Sequence, residues 1–157
     1  VRSVFVELSE ALGPLPVYAP TLLPDKAVLA TEWWPVTQGD SPSTYEGPSI
    51  ANPRIDSVDG KAVSAQVVLE VGAGWLVFLE NFRGDLGDVE GKEVGLVQGN
   101  RVRLYEIQGG TLAHWNDDGR WFAVFGRNLE AAVVVATALH SVKLETGLTE
   151  NKFQSGH

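Results

Sequence analysis

The sequence predicts an α+β domain: an antiparallel sheet of consecutive hairpins with an N-terminal and a C-terminal helix packed on it. Three observations predict it. The stretch Lys92–Val142 alternates apolar and polar positions between the tight-turn dipeptides Gly99-Asn100, Gly109-Gly110 and Asp118-Gly119, which tolerate the positive φ of two-residue hairpins. Upstream, Ala65–Val71 alternates with period two and is followed by Gly72-Ala73-Gly74 and a returning apolar run, Trp75–Phe82. At either end of the chain the period changes to that of a helix.

At the N-terminus, Val4, Phe5, Leu8 and Leu12 share one helical face, and Gly13-Pro14 stops the helix. Prolines at 14, 16, 20 and 24 make the next segment extended, because each fixes φ and lacks a donor. Its apolar residues Leu15, Val17, Tyr18, Leu22 and Leu23 make it a strap lying on the protein surface. Ala27–Val36 is β-like and ends in Trp33-Trp34; Gln38–Pro53, rich in Gly, Ser, Pro and Asn and containing Tyr45, is a long loop. Asp59-Gly60 is a further turn. Asn81–Gly91 is an acidic, glycine-containing connection to the hairpin unit.

Within Lys92–Val142, turns at the three dipeptides set Asp117 opposite Arg120, His114 opposite Ala123, Tyr105 opposite His114 and Arg103 opposite Asn116. They also set Glu93 opposite Glu106, a like-charge clash that predicts fraying or a bulge in the first hairpin. One face then holds Val97, Val102, Leu104, Ala113, Trp115, Phe122 and Val124. The other holds Val94, Leu96, Ile107, Leu112, Trp121, Ala123 and Phe125 with the polar residues Arg103, Tyr105, His114 and Asn116. Both need cover, which predicts the C-terminal helix on one and the N-terminal helix, the strap, a partner or a ligand on the other. Asn128 is the expected cap of the C-terminal helix, whose stripe is Leu129, Ala132, Val133, Ala136, Leu139 and His140. Residues 1–145 form one domain and 146–157 a polar tail.

The formal charge of −8 argues against nucleic acid and anionic membrane surfaces as partners, since both demand a basic footprint. The absence of cysteine removes disulfides, thiolate metal sites and cysteine nucleophiles. With no methionine at position 1, either an initiator or a longer leader, such as a signal peptide or membrane anchor upstream of Val1, is expected to have been removed. No cofactor is implied. The acidic residues Asp85, Asp88, Glu90 and Glu93 lack the spacing of a calcium-binding EF-hand loop, and histidines at 114, 140 and 157 lack metal-ligand spacing. Five tryptophans invite a sugar platform but alternate as core residues do. Arg103, Tyr105, His114 and Asn116, with Trp121, form the candidate ligand-binding set. A His, a phenol and a guanidinium on adjacent strands can hold an anion or relay a proton, or simply pack as a cross-strand aromatic pair beside a solvated Arg. No nucleophile elbow accompanies them.

The strap Pro16-Val17-Tyr18-Ala19-Pro20-Thr21-Leu22-Leu23-Pro24 carries one half of a resemblance. The other half is Gly91-Lys92, Val97-Gln98-Gly99, Leu104-Tyr105-Glu106, Gly110, Leu112–Trp115, Gly119 and Gly126 with the Ala-rich helix after it. Together they resemble an uncharacterised bacterial domain family found in extracytoplasmic parts of membrane-anchored proteins, including anti-sigma-factor-like regulators and sporulation lipoproteins. The family is similar in outline to the LolA-like lipoprotein-carrier fold. The resemblance implies a curved sheet with an apolar groove and offers no catalytic residues. The Trp33-Trp34 pair and the Gln38–Pro53 loop depart from the family pattern. The expected function is non-enzymatic: an extracytoplasmic sensing or binding domain whose partner is a protein or an apolar small molecule. The alternative is a carrier of a lipid-like ligand in a groove of the sheet, and a third reading is a small enzyme using His114.

Overall fold

The computed structural model describes residues 2–30, 52–82, 91–107 and 109–144. Trp33, Trp34, Tyr45, most of the 38–53 loop, the acidic Asp85, Asp88 and Glu90, and the C-terminal tail with His157 lie outside the described residues.

The chain runs α1 (Arg2–Leu12), β1 (Val17–Pro20), β2 (Val28–Leu29), β3 (Arg54–Val58), β4 (Lys61–Val71), β5 (Gly74–Phe82), β6 (Lys92–Val97), β7 (Asn100–Ile107), β8 (Gly110–Asp117), β9 (Arg120–Arg127), α2 (Ala131–Leu139) and β10 (Ser141–Leu144). Eight strands form one antiparallel sheet in the order β2-β4-β5-β9-β8-β7-β6, with β3 also paired to β4. The sheet is two meanders joined where β5 pairs β9.

The hairpin turns correct the expected register. Positive φ falls on Asp59-Gly60, Gln98-Gly99 and Asp118-Gly119, so glycine occupies the second turn position each time. Asn100 therefore begins β7, and its amide donates to the Val97 carbonyl at 3.2 Å. The β7–β8 turn likewise closes at Ile107↔Gly110. The register of these two hairpins moves by two residues, an even shift that leaves the faces unchanged. Arg103 now opposes His114, and Tyr105 opposes Leu112. The like-charge clash disappears: Glu93 opposes Arg103 and lies 3.5 Å from the Arg101 guanidinium. A bulge between Glu93 and Gly95 is present, and it turns Val94 onto the opposite face from the one expected.

The two helices share a face. Phe5, Leu8 and Leu12 of α1 and Val134 and Ala138 of α2 belong to one core cluster with Val67, Leu69, Leu76, Phe78, Val102, Ala113, Trp115, Phe122 and Val124. Val134, Thr137 and Ala138 form the buried stripe of α2, rotated from the one expected. An almost uniformly apolar helix leaves its orientation to fit, and Gly126 makes the fit: a Cβ there would collide with Val134. Asn128 adopts φ of 57° and makes no cap; Glu130 is the N-cap residue and no side chain caps it. The second face holds a smaller cluster of Ala30, Val68, Val77, Leu79, Leu112, Ala123 and Phe125, to which, among the described residues, no helix contributes.

The strap is more deeply set than expected. Val17, Tyr18 and Ala19 are buried, and β1 pairs antiparallel with β10, a strand the sequence reading did not separate from the helix before it. A bulge in β5 between Leu79 and Phe82 grips the strap from the sheet side. The Glu80 carboxyl accepts from the Tyr18 N–H at 2.6 Å, and the Asn81 amide donates to the Pro16 carbonyl at 2.7 Å. On the far edge of β4, Asn52 completes the ladder between β2 and β3. It accepts from the Val68 N–H at 3.0 Å and donates to the Val68 and Ala30 carbonyls at 2.8 Å each. Among the described residues no helix is long and apolar enough to cross a membrane.

Candidate functional site

The expected ligand-binding residues lie on the face away from the helices. His114 is only 2 % exposed. Tyr105 meets its ring edge-on with centroids 5.3 Å apart, and Trp121 lies tilted against it at 5.2 Å. The three rings form a row across β7, β8 and β9 because alternate residues of neighbouring strands share a face. Neither ring nitrogen of His114 has a hydrogen-bond partner among the described residues. Burial, helped by the nearby Arg103 charge, lowers the His114 pKa below its usual value, so the neutral ring is favoured. Burial raises the Tyr105 phenol.

Arg103 is exposed at the outer end of this row, directly opposite His114. Asn116 is exposed and accepts from the Gly119 N–H at 3.0 Å, so its side chain shapes the β8–β9 turn. The set is thus an aromatic row with two polar residues at its rim. Among the described residues no group of three His, Asp or Glu side chains is placed to hold a metal ion.

A concavity lies at one end of this row. It is an open groove of about 920 Å³, and of the expected set it includes Trp121 alone. Its walls come from the end of α1 and the start of the strap (Leu12, Pro14, Leu15), the start of β4 (Lys61, Val63) and the end of β5 with the β8–β9 turn. Topology explains why these meet. Strands β4 and β9 flank β5 and both run antiparallel to it. Lys61 and Arg120, the first residues of β4 and β9, therefore lie at the same end of the sheet as Phe82, the last residue of β5. Phe82 opposes Trp121 across the strand pair. Neither Lys61 nor Arg120 has an ion-pair partner among the described residues. Asp118 supplies the groove's carboxylate, at the turn.

Lys61, Asn81, Phe82 and Arg120 were not singled out by sequence reasoning. One signal was available: the polar pair Glu80-Asn81 interrupts the apolar run of β5, as a bulge does.

A polar network lies on the helix side, at the end of β8. The Tyr18 hydroxyl donates to Asp117 at 2.8 Å, and the Lys143 ammonium lies 3.0 Å from the same carboxylate oxygen. Burial works to raise the Asp117 pKa, but the Tyr18 hydrogen bond and Lys143 outweigh it and hold the carboxyl below its usual value. Tyr18 is pushed well above the ordinary phenol range, first by burial and then by Asp117. This network ties the strap to the sheet and faces the core, with Trp115 and Phe122 edge-on to Tyr18 at 5.2 and 4.6 Å. Comparison with protein-family models, with curated proteins and with solved structures finds no match to this chain.

Proposed function

We propose that this protein is a non-enzymatic binding domain of a membrane-anchored or exported bacterial protein, built on a curved sheet in the outline of the lipoprotein-carrier fold, and that it holds its ligand in the groove beside Trp121. The single observation carrying this reading is the groove itself: a concavity of about 920 Å³, within the range of small-molecule sites. It is walled by strand ends and the α1–strap junction. The state of His114 supports a binding role over an acid–base one. A general base needs a polar partner and access to substrate; His114 is buried between Tyr105 and Trp121 with both nitrogens unpartnered among the described residues. The extracytoplasmic setting rests on the resemblance of the strap and hairpin segments described above.

A thermal-shift screen of small metabolites tests the groove. Ala11 is an exposed helix residue on the groove wall, so Ala11→Trp fills the groove without disturbing the core. The expected result is a ligand that raises the Tm of the wild type and leaves Ala11→Trp unmoved. Ligands that stabilise both proteins equally would place the binding site elsewhere.

A further inference from the structure

We propose that the groove takes an anionic amphiphile, with an apolar chain or ring system lying along the groove and one carboxylate or phosphate head between Lys61 and Arg120. The inference rests on the reading of this groove as the binding site and adds the chemistry of its occupant.

The wall residues decide between ligand classes. Leu12, Pro14, Leu15, Val63, Phe82 and Trp121 present apolar side chains. Such a lining suits a hydrocarbon or aromatic body, whose transfer from water is favourable in proportion to the area covered. A neutral sugar needs several convergent donors and acceptors, one for nearly every carbon. The groove's polar side chains are Lys61, Asn81, Asp118 and Arg120 among the described residues, and the Asn81 amide nitrogen is committed to the Pro16 carbonyl. That set holds one charged group well and a ring of hydroxyls poorly.

The sign of the charged group follows from the cations. The chain carries a net charge of −8, yet among the described residues the groove's charged side chains are two cations against one acid. Lys61 and Arg120 begin the two strands on either side of β5, about two strand spacings or ~10 Å apart along the sheet. Both residues line the groove, and neither is drawn off by an ion pair among the described residues. A cationic head would meet both. An anionic head is attracted by both, and the acidity of the rest of the surface disfavours its binding elsewhere.

The test is an amide chemical-shift titration of the intact chain with three twelve-carbon amphiphiles below their micelle-forming concentrations: dodecanoate, dodecyl maltoside and dodecyltrimethylammonium. Glucuronate serves as a chain-free anion. Dodecanoate is expected to shift the amides of Leu12, Leu15, Val63, Phe82 and Trp121 and to bind about tenfold more tightly than the maltoside, the scale of two exposed charge contacts. Lys61→Gln/Arg120→Gln, two exposed positions, is expected to erase that margin and leave maltoside binding unchanged. Equal affinity for all three head groups overturns the anionic head but leaves the groove standing. Glucuronate binding as tightly as dodecanoate overturns the apolar body. Shifts confined to residues away from the groove, or no shifts with any probe, overturn both this inference and the reading beneath it.

Discussion

Two buried ionisable side chains set opposite limits on stability. Glu80 is 2 % exposed, and burial raises its carboxyl well above the usual value, against the lowering effect of the Tyr18 N–H. A raised folded-state pKa means that stability is full below the unfolded value, near 4.5, and is lost as pH rises through the folded value. His114 has the reverse sign: its depressed pKa makes stability full above the unfolded value, near 6.5, and lost as pH falls from there toward the folded one. The slope of either limb is at most about 1.4 kcal/mol per pH unit. Urea unfolding measured from pH 4 to 9 is expected to show Glu80→Gln with a flattened alkaline limb, because the amide oxygen still accepts from Tyr18 and never ionises. His114→Phe should flatten the acid limb. An alkaline limb unchanged in Glu80→Gln would locate that titration elsewhere. None of this was legible in the sequence at Glu80, which reads there as an ordinary polar residue near a strand end. At His114 the pattern did place the ring on a face with Tyr105 and Trp121. What it lacked was burial, because an alternating strand does not say which polar residue is covered.

At the scale of elements, the local signals read well where steric rules are strict. Helix α1 stops at Gly13 with φ of 64°, and its buried positions include Phe5, Leu8 and Leu12, as the spacing requires. The hairpins of β6 to β9 exist as expected, and the β8–β9 register is the expected one. The two register errors share one physical cause: a glycine followed by a second flexible residue reads as the turn pair, but here the glycine takes the second turn position and the residue after it opens the strand. Helix α2 was misoriented because its sequence, AAVVVATAL, offers no polar face to point at water. Its seating depends instead on the bare backbone of Gly126 beneath Val134 and of Gly95 beside Leu139. Gly126→Ala is therefore expected to lower unfolding stability by about 1–3 kcal/mol, the usual cost of overpacking. The Gly119→Ala change, at a turn with open space around it but φ of 81°, acts through backbone strain alone and should not alter α2. Amide shifts of 131–139 in the two variants separate the effects.

For the whole molecule, the sheet order makes β5 and β9 the seam between two meanders, each built from neighbouring strands. The residues on that seam are among the most buried in the protein: Val77, Phe78 and Leu79 on one side, Ala123 and Val124 on the other, all at 0–2 % exposure. Local opening should therefore cost least at the sheet edges and most at the seam. Native-state hydrogen exchange is expected to show the slowest amides in Val67–Leu69, Val77–Leu79 and Ala123–Phe125, with β6 exchanging first. Slowest exchange in β6 and β7 would mean that the hairpin unit, not the seam, is the last structure to open. The plainest turn signals in the sequence lie in that hairpin unit. Strand order is invisible to such signals, because a β5–β9 contact leaves no mark at any short spacing.

The pairing of β1 with β10 bears on how the chain is made. On the ribosome, Val17–Pro20 emerges before every strand of the sheet, and Ser141–Leu144 emerges after them all. Until then the strap has the buried carboxyl of Glu80 for its Tyr18 N–H but no strand along its other edge, and Thr21 waits for the carbonyl of His140, which takes both its N–H and its hydroxyl. Synthesis thus completes the sheet before it completes the strap, and the nascent domain stays unfastened at one corner until β10 clears the exit tunnel.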